Sequence, residues 1–230
     1  MSREAMRFDP SLLVEGRRRR PILWLGHPAL RQTARVVEPS QLKTDAFRRL
    51  IGDMAQTLED EGGVGLAGPQ IGVDQRVILA GAFPSERDPS RPNYPVRAFI
   101  NPVIVARSSQ IEAAYEGCLS IPGILARVAR PHAVEIEYLD LNAMPRRLRA
   151  EGFLARVLQH EIDHLDGVLI VDHARSFGEI VSLDWVLSQM RGATSGGESS
   201  LSTETTTVSS EHGVSSSSAS SSAATRAMSP

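Results

Sequence analysis

The chemistry that can be read from this 230-residue chain is concentrated in one short stretch and a lone cysteine upstream of it. In "QHEIDH" (159–164), His160 and His164 stand four apart. On a helix that spacing stacks them on one face, where two imidazoles can share a metal ion. Glu161 falls about 100° round the same helix, near such an ion without having to ligate it. The wider pattern, "EGFLARVLQHEIDHLDG" (151–167), supports a helix. Phe153, Leu154, Val157, Leu158, Ile162 and Leu165 cover one broad half of the wheel. Arg156, Gln159, Asp163 and Asp166 cluster on the other, and Gly167 suits a C-terminal cap. His160, Glu161 and His164 lean toward the apolar half, a costly placement unless each is satisfied. A bound metal would satisfy them.

Two histidines leave a ligand missing. Glu179 is the main downstream choice, but its context, "RSFGEIVSL", is unremarkable for that role. His173 follows the helix too closely to have an obvious path back. Upstream stands Cys118, in "YEGCLSIPG" (115–123). A thiolate with two imidazoles makes a sound three-ligand set for Zn²⁺ or Fe²⁺, leaving a fourth position for water. Metal binding would also keep the thiol ionised. Glu116 and Arg130 flank this segment, either pairing to orient it or standing as unrelated surface charges. "GVGLAGPQIG" (63–72) holds four glycines in ten residues and raises the question of a phosphate cradle. It has no Gly-Lys-Ser/Thr ending and no G-x-G-x-x-G between strand and helix, so a nucleotide site is not supported.

These residues need a scaffold. "PILWL" (21–25) reads as a short buried strand, and "RVILAGAF" (76–83) as another. Phe47, Leu50, Ile51, Met54 and Leu58 recur at helical spacing before a Gly62-Gly63 stop. Arg87 to Pro95 is polar and proline-rich, hence a loop. "AFINPVIVA" (98–106) is strand-like with a proline break. Val134, Ile136 and Tyr138 alternate with Glu135 and Glu137, a half-buried strand. A last helix is predicted from about Phe177 to Met190. Strands fall in antiparallel-looking runs, which predicts an α+β fold: antiparallel sheets packed around a central helix that carries the HExxH motif.

Residues 1–20 read as a flexible extension, with Arg17 to Arg20 a solvated basic run. Residues 21–190 read as one domain. From Arg191 to Pro230, twenty of forty residues are Ser or Thr, too polar to offset the entropy of ordering; a disordered tail is expected. The formal net charge is -2, which offers no global case for nucleic acid or membrane binding. No apolar run approaches the ~18 residues of a membrane span. The N-terminus lacks a secretory apolar region, and Glu4, Asp9 and Glu15 weaken a transit-peptide reading. One cysteine permits no intrachain disulfide, in keeping with a reducing compartment.

Together, "GVGLAGPQIG", "EGCLS" and "QHEIDH", in this order and spacing, resemble the three signature motifs of peptide deformylases, from about Pro21 to Asp172. The resemblance implies a metal-dependent hydrolase that removes the formyl group from the formyl-methionine of nascent polypeptides. It implies Cys118, His160 and His164 as ligands of one divalent ion, Fe²⁺ first, with Zn²⁺, Ni²⁺ or Co²⁺ as alternatives. Glu161 would move the proton, and the Gln70 side chain and the Leu119 N–H would meet the oxyanion. Gly65 and Leu66 would pair with the peptide as an edge strand, and Ile121, Leu125 and Leu158 would line the methionine pocket or serve as plain core. A monomer in a bacterial-type cytoplasm, with transient access to the ribosome, is the implied state; an organellar setting stays open. The chain departs from the family at Gly68, where many members have alanine, and at Leu125, where some carry an arginine that meets substrate. Asn142-Ala143-Met144 replaces a frequent glycine turn. Two other readings remain: an HExxH metallopeptidase indifferent to Cys118, and a non-catalytic deformylase-like peptide-binding module.

Overall fold

Strand β2 (Val77–Ala82) is buried at every position, and its alternation shows how the molecule is layered. Val77 and Leu79 pack with Phe47, Leu50, Ile51, Met54 and Leu58 of helix α1 (Asp45–Glu61). Ile78, Ala80 and Ala82 pack on the opposite side with Leu154, Ala155, Val157, Leu158, Ile162 and Leu165 of helix α2 (Gly152–Leu165). A strand with both faces covered reads as a continuous apolar run, which is why "VILAGA" shows no alternation in sequence.

The computed structural model describes residues 7–84 and 91–195. Its fold is α+β with antiparallel sheets, as expected. The first sheet has the order β1-β2-β3-β6-β7, with β1 Gly65–Ala67, β3 Tyr94–Arg107, β6 Ala133–Leu139 and β7 Pro145–Glu151. The second has the order β4-β5-β8, with β4 Ile111–Cys118, β5 Ile121–Pro131 and β8 Ile180–Ser182. Helix α2 contacts β1 and β2 of the first sheet and β5 of the second. The Thr44 hydroxyl caps α1 by accepting from Phe47 N–H at 3.2 Å, and Gly62, at φ 65°, ends it as predicted. The proline break in β3 falls at a shift in the β3–β6 register, between Ile100 and Val103.

Four sequence expectations are corrected. Residues 21–25 form no strand, and Trp24 is 65% exposed. The segment is instead a strap: Leu23 N–H donates to Gln70 O and Leu25 N–H to Ser120 O, each at 2.8 Å. Residues 7–20 are not a loose extension. Leu12 is fully buried against α1, and Phe8 bridges to Val96. The arginine run lies along α1: Arg18 N–H donates to Asp53, Arg20 N–H to Thr57, and Arg17 pairs with Glu59 at 3.0 Å. What reads as a basic cluster is thus tied to groups on α1, while Arg18, Arg19 and Arg20 stay exposed. The predicted 177–190 helix is a 3-10 turn (Phe177–Glu179), then β8, then α3 (Leu183–Ser195). The helix therefore runs five residues into the segment expected to be disordered; 196–230 lie outside the described residues. So do 87–90 of the expected 87–95 loop, whose end is already strand, since β3 begins at Tyr94.

Candidate metal centre and catalytic cavity

Strands β4 and β5 are joined by only two residues, Leu119 and Ser120, with Cys118 opposite Ile121. That tight hairpin end presents the cysteine to α2. There, ligand atoms of Cys118, His160 and His164 all lie within 4.8 Å of one another. Cys118 Sγ is 3.3 Å from His164 Nε2, and the two imidazole centroids are 5.0 Å apart. Neither downstream alternative joins them. Glu179 accepts from Arg175 N–H and lies 3.9 Å from Arg127, while His173 contacts Asp163.

Glu116, on β4, stands behind His160. Its Oε2 is 2.9 Å from His160 Nδ1, which leaves Nε2 of that ring for a ligand. Arg130 clamps the same carboxylate with Nε and Nη2 at 2.7 and 3.0 Å, and Arg156 adds Nη1 at 2.7 Å. So Glu116 and Arg130 pair, and both are buried. Burial pushes the Glu116 carboxyl up, but the hydrogen bonds from His160 and Arg130 and the Arg130 charge outweigh it and hold it well below the usual carboxylate range. The polar half of α2 is thus no solvated face: Arg156, Gln159 and Asp163 reach the β4–β5 sheet.

Gln70 lies in the 3-10 turn Gly68–Ile71 that follows β1. Its Oε1 accepts from Ala67 N–H at 2.8 Å. The amide nitrogen must therefore point the other way, to Ser120 Oγ at 3.3 Å and Cys118 Sγ at 3.6 Å. Gly65 faces Glu161 so closely that a Cβ there would stand 2.3 Å from Oε1. Glu161 Oε2 is buried without a hydrogen-bond partner among the described residues. Burial raises this carboxyl to about 7, helped by the charges of Glu116 and Asp163 and opposed by His160 and Arg130.

A cavity of about 430 Å³ opens on these groups. Gly65, Gln70, Cys118, Leu119, Ile121, Leu125, His160 and Glu161 line it. Leu66 and Leu158 do not: both are fully buried, Leu66 against α1 and Leu158 against β2 and β3. The wall instead takes Tyr115, Phe153, Arg156, Val157 and Leu183, with Arg91 stacked on Phe153 at 3.8 Å.

The profile of the polypeptide deformylase family matches residues 19–179. The chain belongs to the peptide deformylase family. A peptide deformylase of Leptospira biflexa is 42% identical over 158 residues, 68% of this chain and 88% of its own. Peptide deformylase 2 of a Nostoc species is 41% identical over 156 residues, 68% and 86% of the two chains. Among solved structures, a Met-Ala-Ser-bound class I type b peptide deformylase from Acinetobacter baumannii superposes with TM-score 0.65 at 34% identity, covering 67% of this chain and 98% of that one. The Synechococcus elongatus peptide deformylase in complex with actinonin gives TM-score 0.61 at 40% identity, with 74% and 84% covered.

Peptide deformylases are metalloenzymes, and this deformylase has a centre that fits an ion. A cysteine sulfur and two imidazoles converge, one ring is oriented by a carboxylate, and the neighbouring Glu161 oxygen is orphaned among the described residues. Two departures from the family also find their physical setting. At Gly68 a Cβ would stand 2.8 Å from Gln75 O and 3.0 Å from Val73 O, so the backbone would have to shift to admit the alanine of other members. At the β6–β7 turn, Ala143 adopts φ 60°, a left-handed conformation where glycine is at ease. The wall residues of α2 that sequence reading left out, Phe153 and Val157, had a signal: each lies a whole number of turns from His160 or nearly so.

Proposed function

We propose that this deformylase hydrolyses the formyl amide of N-formylmethionyl peptides from nascent chains, releasing formate, with roles distributed as follows. The observation that carries the reading is Glu161: a buried carboxylate with one orphaned oxygen, against an edge strand, beside a three-ligand centre. Cys118, His160 and His164 would hold one divalent ion, Fe²⁺ in preference to Zn²⁺, Ni²⁺ or Co²⁺. When bound, such an ion supplies Lewis acidity and acidifies water in the cavity. Glu161 takes the proton from the attacking water and returns it to the departing methionyl amine. Gln70 Nε2–H and the Leu119 N–H donate to the oxyanion that develops on the formyl oxygen. Gly65 and Leu66, on edge strand β1, pair with the peptide backbone by β-augmentation. Ile121 and Leu125, with Phe153 and Val157, receive the methionine side chain. Helix α2 is the central frame, with both sheets applied to it. The chain acts as a monomer in the cytoplasm, reaching its substrates at the ribosome; among the described residues no helix is long and apolar enough to cross a membrane.

The test is formate release from formyl-Met-Ala-Ser by anaerobically prepared, Fe²⁺-loaded protein. Glu161→Ala should lose about 10²–10⁴ in turnover while retaining its metal. Well-folded, metal-loaded wild type that releases no formate would overturn the enzymatic reading in favour of a binding module.

A further inference from the structure

The candidate centre has an outer support that extends beyond the three motifs, to Arg130 and His173. His173 lies just past the 3-10 turn Ile170–Asp172 and reaches back to α2, where its Nε2 is 2.8 Å from Asp163 Oδ2. The same oxygen accepts from Arg130 Nη1 at 2.8 Å. Arg130 carries the contact on to Glu116, and Glu116 to His160 Nδ1. An unbroken series thus runs from a side chain 31% exposed to one of the three groups that would hold the ion.

We infer that Asp163 and His173 are positioning residues for the metal centre, acting through Arg130 and Glu116 on the orientation of the His160 ring. This rests on the metal reading above. The physical argument starts from the guanidinium, which presents its donors in a rigid planar fork. Two of its nitrogens meet Glu116, and those contacts alone leave the plane free to tilt about the carboxylate. Asp163 removes that freedom by taking the third nitrogen. Asp163 is itself 26% exposed, so water competes for its oxygen. His173 holds that oxygen on Arg130 by donating to it from the solvent side. With Arg130 locked, and Arg156 Nη1 on the same carboxylate, Glu116 has one position, and a carboxylate on Nδ1 sets which way an imidazole presents Nε2.

The test uses the full chain, stripped of metal and titrated with Co²⁺ alone. His173→Phe keeps a ring but offers no donor, and should weaken Co²⁺ binding about tenfold, the low end for an outer-sphere partner. It should also change the visible absorption of the Co²⁺ form, because the ligand field follows ring orientation. Melting of the metal-free protein should move by less than about 4 °C. His173→Gln retains an N–H that can reach Asp163, and should recover most of the affinity and the wild-type spectrum. Unchanged Co²⁺ affinity in His173→Phe, or His173→Gln failing alongside it, overturns the inference. So does a loss of affinity matched by an equal loss of metal-free stability. Wild type that takes up no Co²⁺ overturns the metal reading and this support with it.

Discussion

Gln70 shows how far this chemistry depends on the orientation of single groups. Its carbonyl is committed to Ala67 N–H, so its amide nitrogen can only face Cys118 and Ser120. Leucine has much the same shape but cannot donate. Gln70→Leu should therefore lower turnover by about 10²–10³ while metal content, measured on the same preparation, stays near wild type. An equal fall in both would make Gln70 a structural residue of the centre. The His160, Glu161 and His164 group was legible in the sequence because its spacing suggests the chemistry, and Cys118 joined it through the family resemblance. The exclusion of Leu66 and Leu158 from the cavity was not. Both are apolar residues beside site residues, and only packing decides whether such a side chain faces a cavity or a core.

Among the elements, the β6–β7 turn is the most informative. Asp140 accepts from Asn142 N–H, Met144 N–H and Arg146, while Ala143 holds φ 60° between them. An L-residue in that conformation costs about 1–2 kcal/mol, partly offset in a glycine by greater unfolded entropy. Ala143→Gly should raise Tm by up to about 4 °C; no gain in a thermal melt would show the turn unstrained. Burial tends to raise the Asp140 carboxyl, but the Met144 N–H, Arg146 and the Asn142 N–H outweigh it and lower it. A depressed carboxyl stabilises the fold above its unfolded value of ~3.9, and that contribution disappears as pH falls through the folded value. Asp140→Asn should accordingly melt below wild type at pH 7, with the gap closing as pH falls below about 4. A gap that is constant with pH would sink the linkage. Helix α2 was legible as an amphipathic pattern with its metal face. That its polar half meets a second sheet was not, because the partner groups, Arg130 and Glu116, come from strands more than thirty residues upstream or nearly so.

For the molecule as a whole, the N-terminal segment is part of the fold. Leu12 is buried among the α1 residues, and the backbone of Arg18 and Arg20 is tied to Asp53 and Thr57. Leu12→Ala should cost about 2–5 kcal/mol and lower Tm by at least about 4 °C; a melt within 1 °C of wild type, roughly the noise of a surface change, would return the segment to a loose extension. Here sequence reading went astray because an arginine run, exposed though it is, shows no anchor until Asp53, Thr57 and Glu59 of α1 are laid beside it. The fold class and the helix carrying His160, Glu161 and His164 could be read from residue type and short-range spacing, and the family from the order of three motifs; that Cys118 stands beside the two histidines is a tertiary contact. Contacts in the folded chain settle which apolar side chains face the cavity, which charges neutralise one another, and that the Val73 and Gln75 carbonyls crowd the space a side chain at Gly68 would need. Those outcomes depend on contacts between segments distant in the chain, where the energy of a side chain is set by its neighbours and not by its own type.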